Sequence, residues 1–192
     1  VVLGGGDVRP IEHIAAFTAF AQNGAEVTPR AILQVLDKDG KTLFDTSTSQ
    51  PQTTQVFDQE IARQITSIMS DNTARAFIFG TQNFLTLPDR PVAAKSGTTN
   101  EYRDAWTIGF TPSLVTGVWT GNATGKKMKA GADGSKEAAP IWNAFMKSAL
   151  AETPVETFIE PTPVVTGKPV LDGSKTGQFV LKIDKFSGKL AT

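Results

Sequence analysis

Three short apolar segments between residues 91 and 120 constrain the fold more than any other part of the sequence. The first, residues 91–94, leads into a polar run, and the other two, residues 105–110 and 114–120, are joined only by Thr111-Pro112-Ser113. So short a connection joins antiparallel neighbours, and the last two segments are therefore predicted to form a β-hairpin. Helical patterns precede and follow the three strands. The chain is thus predicted to be an α+β domain in which helices pack on an antiparallel sheet.

The composition excludes several classes of function. The 19 basic and 19 acidic residues balance, and the densest basic cluster, Lys126-Lys127-Met128-Lys129, lies in a Gly-rich loop, so no nucleic acid partner is predicted. The absence of cysteine excludes thiol catalysis, disulfides and thiolate metal sites. His13 is the only histidine, which excludes a histidine triad and a multi-histidine metal site. We therefore predict neither a cofactor nor a metal.

Helical and hairpin patterns surround the three central segments. Residues 7–24 are predicted to form a helix that is buried nearly all round, with Pro10 in its first turn and Asn23-Gly24 at its end. A hairpin is predicted over residues 32–44, a polar loop over 47–55, and a helix after Asp58 with its apolar residues Ile61, Ile65, Ile68 and Met69 on one face. A last helix is predicted over residues 140–150, with Trp142, Phe145, Met146 and Ala149 on one face.

The composition changes after residue 151. Prolines at positions 154, 161, 163 and 169 exclude a continuous helix there. We expect residues 1–151 to form one domain, and residues 152–192 to form a Pro-rich linker with a short β tail. That tail is predicted to contain a strand over residues 179–183 and a turn at Ser187-Gly188.

The polar run Lys95-Ser96-Gly97-Thr98-Thr99-Asn100, which we call the Lys95 run, is the main candidate site. A strand end that carries a lysine and hydroxyl groups can bind a carboxylate, and a glycine beside them lets a substrate backbone approach closely. Backbone N–H groups there can also stabilise an oxyanion in acyl transfer. A lysine followed by an ordinary Ser-Gly turn is the alternative on these residues alone.

A nucleophile for acyl transfer is not evident in the sequence. A serine nucleophile needs an adjacent base, yet no serine of the chain has a lysine three residues later. Ser70-Asp71-Asn72 and Lys175-Thr176-Gly177 have the residue types of catalytic motifs, but the first ends a predicted helix and the second lies in the Pro/Gly-rich tail. We interpret both as structural.

Two acidic residues, Glu101 and Asp104, flank the Lys95 run. A paired-carboxylate hydrolase is one interpretation. The one we favour is that Asp104 pairs with Arg103 or Lys95, or caps a turn. The three tryptophans are predicted to belong to the core rather than to a ligand-stacking site, and they are Trp106, Trp119 and Trp142.

Several segments around the Lys95 run have a distinctive composition. They are Leu3-Gly4-Gly5-Gly6-Asp7-Val8-Arg9-Pro10, Ala19-Phe20-Ala21-Gln22-Asn23-Gly24, Asp104-Ala105-Trp106, Gly109-Phe110-Thr111-Pro112, Gly117-Val118-Trp119-Thr120-Gly121 and Ala138-Ala139-Pro140-Ile141-Trp142. In this order, and with Ala94-Lys95-Ser96-Gly97-Thr98-Thr99 as the third catalytic motif, the chain resembles the C-terminal half of the transpeptidase domain of class A penicillin-binding proteins. The resemblance covers roughly residues 3–150. It implies the penicillin-binding and serine β-lactamase-like fold with a short C-terminal extension.

The resemblance implies a role for each matching residue of the Lys95 run. Lys95 would supply positive charge to the proton network around a serine and to the substrate carboxylate. Ser96 and Thr98 would bind that carboxylate through their hydroxyls, with Thr99 and Asn100 in the same substrate-binding set. The Thr98 N–H would form half of the oxyanion hole, and Gly97 would let the substrate lie as an added strand. Ser96 replaces the commoner threonine and keeps the hydroxyl.

The resemblance also implies a reaction and its setting. A serine would attack the D-Ala-D-Ala end of a peptidoglycan stem peptide and pass the acyl group to a neighbouring stem, and β-lactams would acylate the same serine. The partners would be stem peptides and β-lactams at the extracytoplasmic face of a bacterial membrane, with membrane contact only through an N-terminal anchor.

The resemblance places the family's nucleophile motif, second motif, glycosyltransferase domain and anchor upstream of the Lys95 run. We therefore expect the chain to be a fragment, with residues 1–151 a partial transpeptidase domain that is inactive alone. Two alternatives stay open. One is a serine β-lactamase or D-Ala-D-Ala carboxypeptidase on the same fold, and the other is a non-catalytic wall-binding module.

Overall fold

A computed structural model of the chain describes residues 6–47, 49 and 51–168. It divides the chain into two compact units, residues 1–161 and residues 162–192. The predicted strand over residues 179–183, the turn at Ser187-Gly188 and the Lys175-Thr176-Gly177 segment all lie outside the described residues.

The first unit contains four α-helices and seven β-strands within the described residues. In chain order they are α1 (Pro10–Ala21), β1 (Ala25–Val27), β2 (Gln34–Leu36), β3 (Thr42–Asp45), β4 (Thr53–Gln55), α2 (Gln59–Ser70), α3 (Asn72–Phe79), β5 (Ala93–Thr98), β6 (Asp104–Phe110), β7 (Val115–Gly121) and α4 (Ala139–Ala149). A 3₁₀ turn (Asn100–Tyr102) follows β5, and a π-helical turn (Gly134–Ala138) precedes α4. No helix of the described part is long and apolar enough to cross a membrane.

The central sheet is antiparallel with the order β5-β6-β7. The predicted hairpin is confirmed as β6 and β7, in which Trp106 lies opposite Trp119. The prediction for β5 was too short, because the strand continues through the Lys95 run as far as Thr98 instead of ending before it. Lys95 lies opposite Ile108, and Gly97 lies opposite Trp106. The ladder to β6 thus holds the run in an extended conformation.

Helices cover both faces of this sheet. On one face, Phe17 and Ala21 of α1 and Met69 of α2 pack around Ala93 and Phe110. On the other face, α4 forms the larger core cluster, in which its buried residues Trp142 and Met146 pack with Val92 and Ala94. Of the three tryptophans predicted to lie in the core, Trp142 is fully buried, Trp106 is half-buried and Trp119 is 41% exposed, so the prediction is wrong for Trp119. Trp119 lies two residues before the end of β7.

Helix α1 begins and ends at the predicted signals. Pro10 opens the helix, and Gly24, in a left-handed conformation with φ 95°, donates its N–H to the Ala19 carbonyl after the last turn. The expectation that α1 is buried all round is wrong, because Ile11 is 61% exposed while Ala15 and Ala19 are buried. Only one face of α1 lies against the sheet.

The sequence patterns missed three elements, β1, β4 and α3, and misassigned one helix face. The predicted polar loop over residues 47–55 contains β4, which pairs with β1. Because the side chains of β4 are all exposed, this strand has no pattern of apolar residues in the sequence. Helix α3 was not predicted. Helix α2 begins after the Asp58 cap as expected, yet Ile61 and Ile68 are exposed and its buried residues are Ala62 and Thr66. The predicted hairpin over residues 32–44 is confirmed as β2 and β3.

Candidate active site

Strand β5 forms one edge of the central sheet, because β6 is its only partner among the described strands. The Thr99 N–H donates to the Asp104 carbonyl at 3.0 Å, so the odd-numbered residues of the strand direct their backbone groups toward β6. The even-numbered residues Ala94, Ser96 and Thr98 therefore direct their N–H and C=O groups to the opposite, unpaired edge. This edge presents the Thr98 N–H beside the Lys95 side chain.

Lys95 and Gly97 are both exposed. The Lys95 ammonium donates to the Ser96 carbonyl at 2.5 Å, and it forms no ion pair with a carboxylate of the described residues. A Cβ on Gly97 would lie 3.6 Å from the Trp106 Cβ, an ordinary contact, so the fold itself has room for a side chain here. The small size of Gly97 therefore matters on its open side, where a ligand backbone can approach.

Gly134 connects the Lys95 run to the interior. Its N–H donates to the Thr98 hydroxyl oxygen at 3.0 Å, and its carbonyl accepts from the buried Thr107 hydroxyl at 2.9 Å. A Cβ on Gly134 would lie 2.2 Å from the Trp106 carbonyl oxygen and 2.6 Å from the Gly97 carbonyl oxygen, so only glycine fits against the two strands. The Thr98 hydroxyl accepts from within the protein and keeps its own proton to donate outward. The only sign of this contact in the sequence is a glycine in a predicted loop.

Asp104 fixes the end of the Lys95 run. Its two carboxylate oxygens accept from Trp119 Nε1 and from the Thr99 hydroxyl, both at 2.9 Å, and its N–H donates to the Thr99 hydroxyl oxygen at 2.8 Å. The expected pairing of Asp104 with Arg103 or Lys95 is therefore wrong. The Thr99 hydroxyl is engaged on the protein side, whereas Asn100 is exposed at the start of the 3₁₀ turn.

The turn after β5 is held by charged residues. Glu101 and Tyr102 both have left-handed backbones, with φ of 64° and 57°, which is costly for residues with a Cβ. Glu101 forms ion pairs with Lys127 and Arg103. The hydrogen bonds from Lys127 and then Arg103 lower the pKa of Glu101 below its usual value. Since Glu101 pairs with cations and Asp104 with neutral donors, the two do not form a carboxylate pair.

The Ser70-Asp71-Asn72 segment lies at the junction of α2 and α3. Ser70 donates to the Ser67 carbonyl, and Asp71 caps α3 by accepting from the Ala74 N–H. Asn72 donates to the Thr81 carbonyl. These contacts satisfy the ends of helices. In the part of the chain that the structure describes, no group of three acidic or histidine side chains is arranged to hold a metal ion.

Comparison with known proteins gives a consistent result. A model of the penicillin-binding protein transpeptidase domain matches residues 4–147. Penicillin-binding protein 1A of Aquifex aeolicus is 34% identical over 161 residues, which cover 84% of this chain and 21% of that protein. The chain thus spans about a fifth of the length of this curated relative.

Solved structures resemble the fold. The penicillin-binding protein PonA1 from Mycobacterium tuberculosis matches with a TM-score of 0.67 and 33% identity, over 81% of this chain and 42% of that one. Penicillin-binding protein A from M. tuberculosis, an imipenem acyl-enzyme complex, matches with a TM-score of 0.61 over 77% of this chain and 33% of that one. The second match, at 21% identity, indicates the fold alone.

Proposed function

Because the chain belongs to the penicillin-binding protein transpeptidase domain family and has the α+β fold of that family, we propose that it supplies one wall of a D,D-transpeptidase active site. The wall is the open edge of β5. The observation that carries the proposal is the direction of the Thr98 N–H, which points to the unpaired edge beside an exposed lysine.

The proposed chemistry assigns one task to each residue of the edge. The Thr98 N–H donates to the oxyanion that forms when a serine attacks a peptide or β-lactam carbonyl. The Thr98 hydroxyl, whose oxygen accepts from Gly134, donates its proton to the substrate carboxylate, together with Ser96. Lys95 supplies the positive charge for that carboxylate and for the proton network of the serine. Thr99 and Asn100 complete the substrate-binding set, with Thr99 acting from its bond to Asp104.

The nucleophile in this proposal lies outside these 192 residues. No Ser-x-x-Lys pair occurs in the sequence, and the chain spans about a fifth of its curated relative. We propose that residues 1–151 complete an active site whose serine belongs to another part of the protein. The chain alone then has no acyl acceptor and stays unlabelled by penicillins.

The proposed substrates are peptidoglycan stem peptides ending in D-Ala-D-Ala, with β-lactams as inhibitors. The β-lactam part is supported by the match of residues 4–147 to the penicillin-binding protein transpeptidase domain. Such substrates place the site at the extracytoplasmic face of the bacterial membrane. Crosslinking of stems, as opposed to hydrolysis of β-lactams, separates this function from that of a β-lactamase.

Covalent labelling with a fluorescent penicillin tests the proposal. The full-length protein that contains this chain should be labelled, and Lys95→Ala should lower the rate of labelling by about 10²–10⁴-fold, because charge and proton transfer are lost together. Lys147→Ala is the matched control, since Lys147 is an exposed lysine of α4, and it should leave the rate unchanged. The isolated chain should take up no label. Stoichiometric labelling of the isolated chain, or no effect of Lys95→Ala, would refute the proposal.

A further inference from the structure

The unpaired edge of β5 does not run the full length of the strand. Arg75, in α3, donates from Nη1 to the Ala94 carbonyl at 3.2 Å, and this carbonyl is the first of the three that point to the open edge. The guanidinium therefore occupies the position that a peptide N–H would take on an added strand. The backbone groups left for a ligand are the Ser96 N–H and the N–H and C=O of Thr98, because the Ser96 carbonyl accepts from the Lys95 ammonium.

Arg75 is fixed in this position by two further carbonyls. Its Nη2 donates to Met69 in the last turn of α2, and its Nε donates to the Asp71 carbonyl at 3.4 Å. Burial lowers the pKa of Arg75, consistent with a guanidinium partly removed from water, although arginine stays protonated at neutral pH. A planar guanidinium that binds backbone carbonyls of α2, of the α2–α3 junction and of β5 is held far more rigidly than a surface arginine.

The direction of the proposed ligand decides what this block does. With the oxyanion at the Thr98 N–H and the carboxylate near Lys95 and Ser96, the peptide runs from Thr98 toward Lys95, antiparallel to β5. Each further pairing position along an edge accounts for two residues of an added strand. A peptide that continued about three residues past the terminal carboxylate position would meet the Ala94 carbonyl, where Arg75 already donates.

We propose that Arg75 is a specificity-determining positioning residue that closes the β5 edge at Ala94 and so restricts the site to peptides that end there. The inference rests on the proposed function, since it needs a peptide docked along the edge. Lys95 and the hydroxyls bind the terminal carboxylate, and Arg75 excludes a chain that carries on. Removing the guanidinium frees the Ala94 carbonyl to accept from an extended peptide.

The test is competition between two peptides and a fluorescent penicillin on the full-length protein. One peptide ends in D-Ala-D-Ala with a free carboxylate, and the other carries three further alanines. In Arg75→Met, the extended peptide should improve about 3- to 10-fold as a competitor relative to the free-ended peptide, the effect of one recovered hydrogen bond. Arg9→Met removes an exposed arginine of similar size and should leave the ratio of the two peptides unchanged.

The ratio of the two peptides as competitors separates a positioning role from an effect on stability, because partial unfolding of a variant weakens the binding of both peptides equally. Arg75→Lys keeps the charge without the planar fork and should shift the ratio in the same direction by a smaller factor, which keeps the test open if Arg75→Met does not fold. An unchanged ratio in a labelled variant would overturn the role of Arg75. A wild-type protein that takes up no penicillin would instead overturn the proposed function, and the inference with it.

Discussion

Replacing Gly134 by alanine should disturb the packing behind the Lys95 run and lower the stability of the fold, while every residue of the run stays unchanged. An added Cβ would lie 2.2 Å from the Trp106 carbonyl oxygen, whereas nine in ten real Cβ contacts are longer than 3.4 Å. Relief to that distance needs a shift of about 1.2 Å. The neighbouring atoms belong to the backbone of two paired strands, so the turn that begins at Gly134 must move instead.

The size of the effect follows from what that movement breaks. Overpacking in a tight contact costs about 1–3 kcal/mol. A shift of this size also stretches the hydrogen bonds to Thr98 and Thr107, now 3.0 and 2.9 Å, and each contributes about 0.5–1.5 kcal/mol. The lower entropy of an unfolded chain with alanine returns about 0.4–1 kcal/mol. The net loss is about 1–6 kcal/mol in the free energy of unfolding, or about 2–24 °C in Tm.

Urea and thermal unfolding of the 192-residue chain, followed by tryptophan fluorescence, measure this loss. Gly97→Ala is the matched control, because its Cβ would make only an ordinary contact at 3.6 Å and its stability should change by less than about 0.5 kcal/mol. The reasoning is wrong if the two variants unfold at the same urea concentration, or if Gly97→Ala is the less stable one. In the full-length protein, Gly97→Ala should slow labelling by penicillin despite its intact fold, since a methyl group at this exposed position reduces the space for a ligand backbone in the proposed site.

Two further predictions concern the turn after β5. Asp104→Asn leaves either Trp119 Nε1 or the Thr99 hydroxyl without its acceptor. The free energy of unfolding, measured in urea, should therefore fall by about 1–3 kcal/mol. Adding Trp119→Phe should recover part of this loss, and no recovery would contradict the contact between Asp104 and Trp119. The folded-state pKa of Glu101 is lowered by its cationic partners, so its contribution to stability is present above pH 4.5 and is lost as the pH falls through the lower folded-state value. Glu101→Gln should therefore flatten the dependence of the urea midpoint on pH below about 4.5, and a slope equal to that of the wild type would argue against the ion pairs.

The elements that could be predicted from the sequence are those with local signals. Pro10 and Asp58 predict the starts of helices α1 and α2, and the short link Thr111-Pro112-Ser113 predicts the β6–β7 hairpin. Strand β4 was not predicted because it is defined by backbone pairing to β1 about 28 residues earlier, as in the pairing of Glu26 with Thr54, and its side chains are exposed. Backbone pairing of that kind leaves no mark in the pattern of apolar residues.

The same distinction applies within the site. The residue types of the Lys95 run could be read directly, because a lysine, two hydroxyls and a glycine are the groups that we propose to contact a ligand. The residues that hold the run in place come from distant segments, and their contacts involve backbone atoms that the residue types do not reveal. Gly134 uses its own N–H and carbonyl, and Arg75 donates to the carbonyl of Ala94. Asp104 was noticed, but its partners were misassigned, because formal charge favoured Lys95 and Arg103 over a hydroxyl and an indole.

These supports act on opposite sides of the strand, which explains how an edge strand can be both open and rigid. Gly134 packs against the backbone of Gly97 and Trp106, Asp104 fixes the end of the strand, and Arg75 covers its beginning. Between Ala94 and Thr99 no described strand pairs with the outer edge, and the Lys95 ammonium occupies the Ser96 carbonyl there. An unpaired edge of this length is too short to recruit a second sheet but long enough to hold a short peptide. Rigid donors cost no reorganisation when an oxyanion forms. The supports, more than the exposed residues themselves, should therefore determine how well the Thr98 N–H performs in acyl transfer.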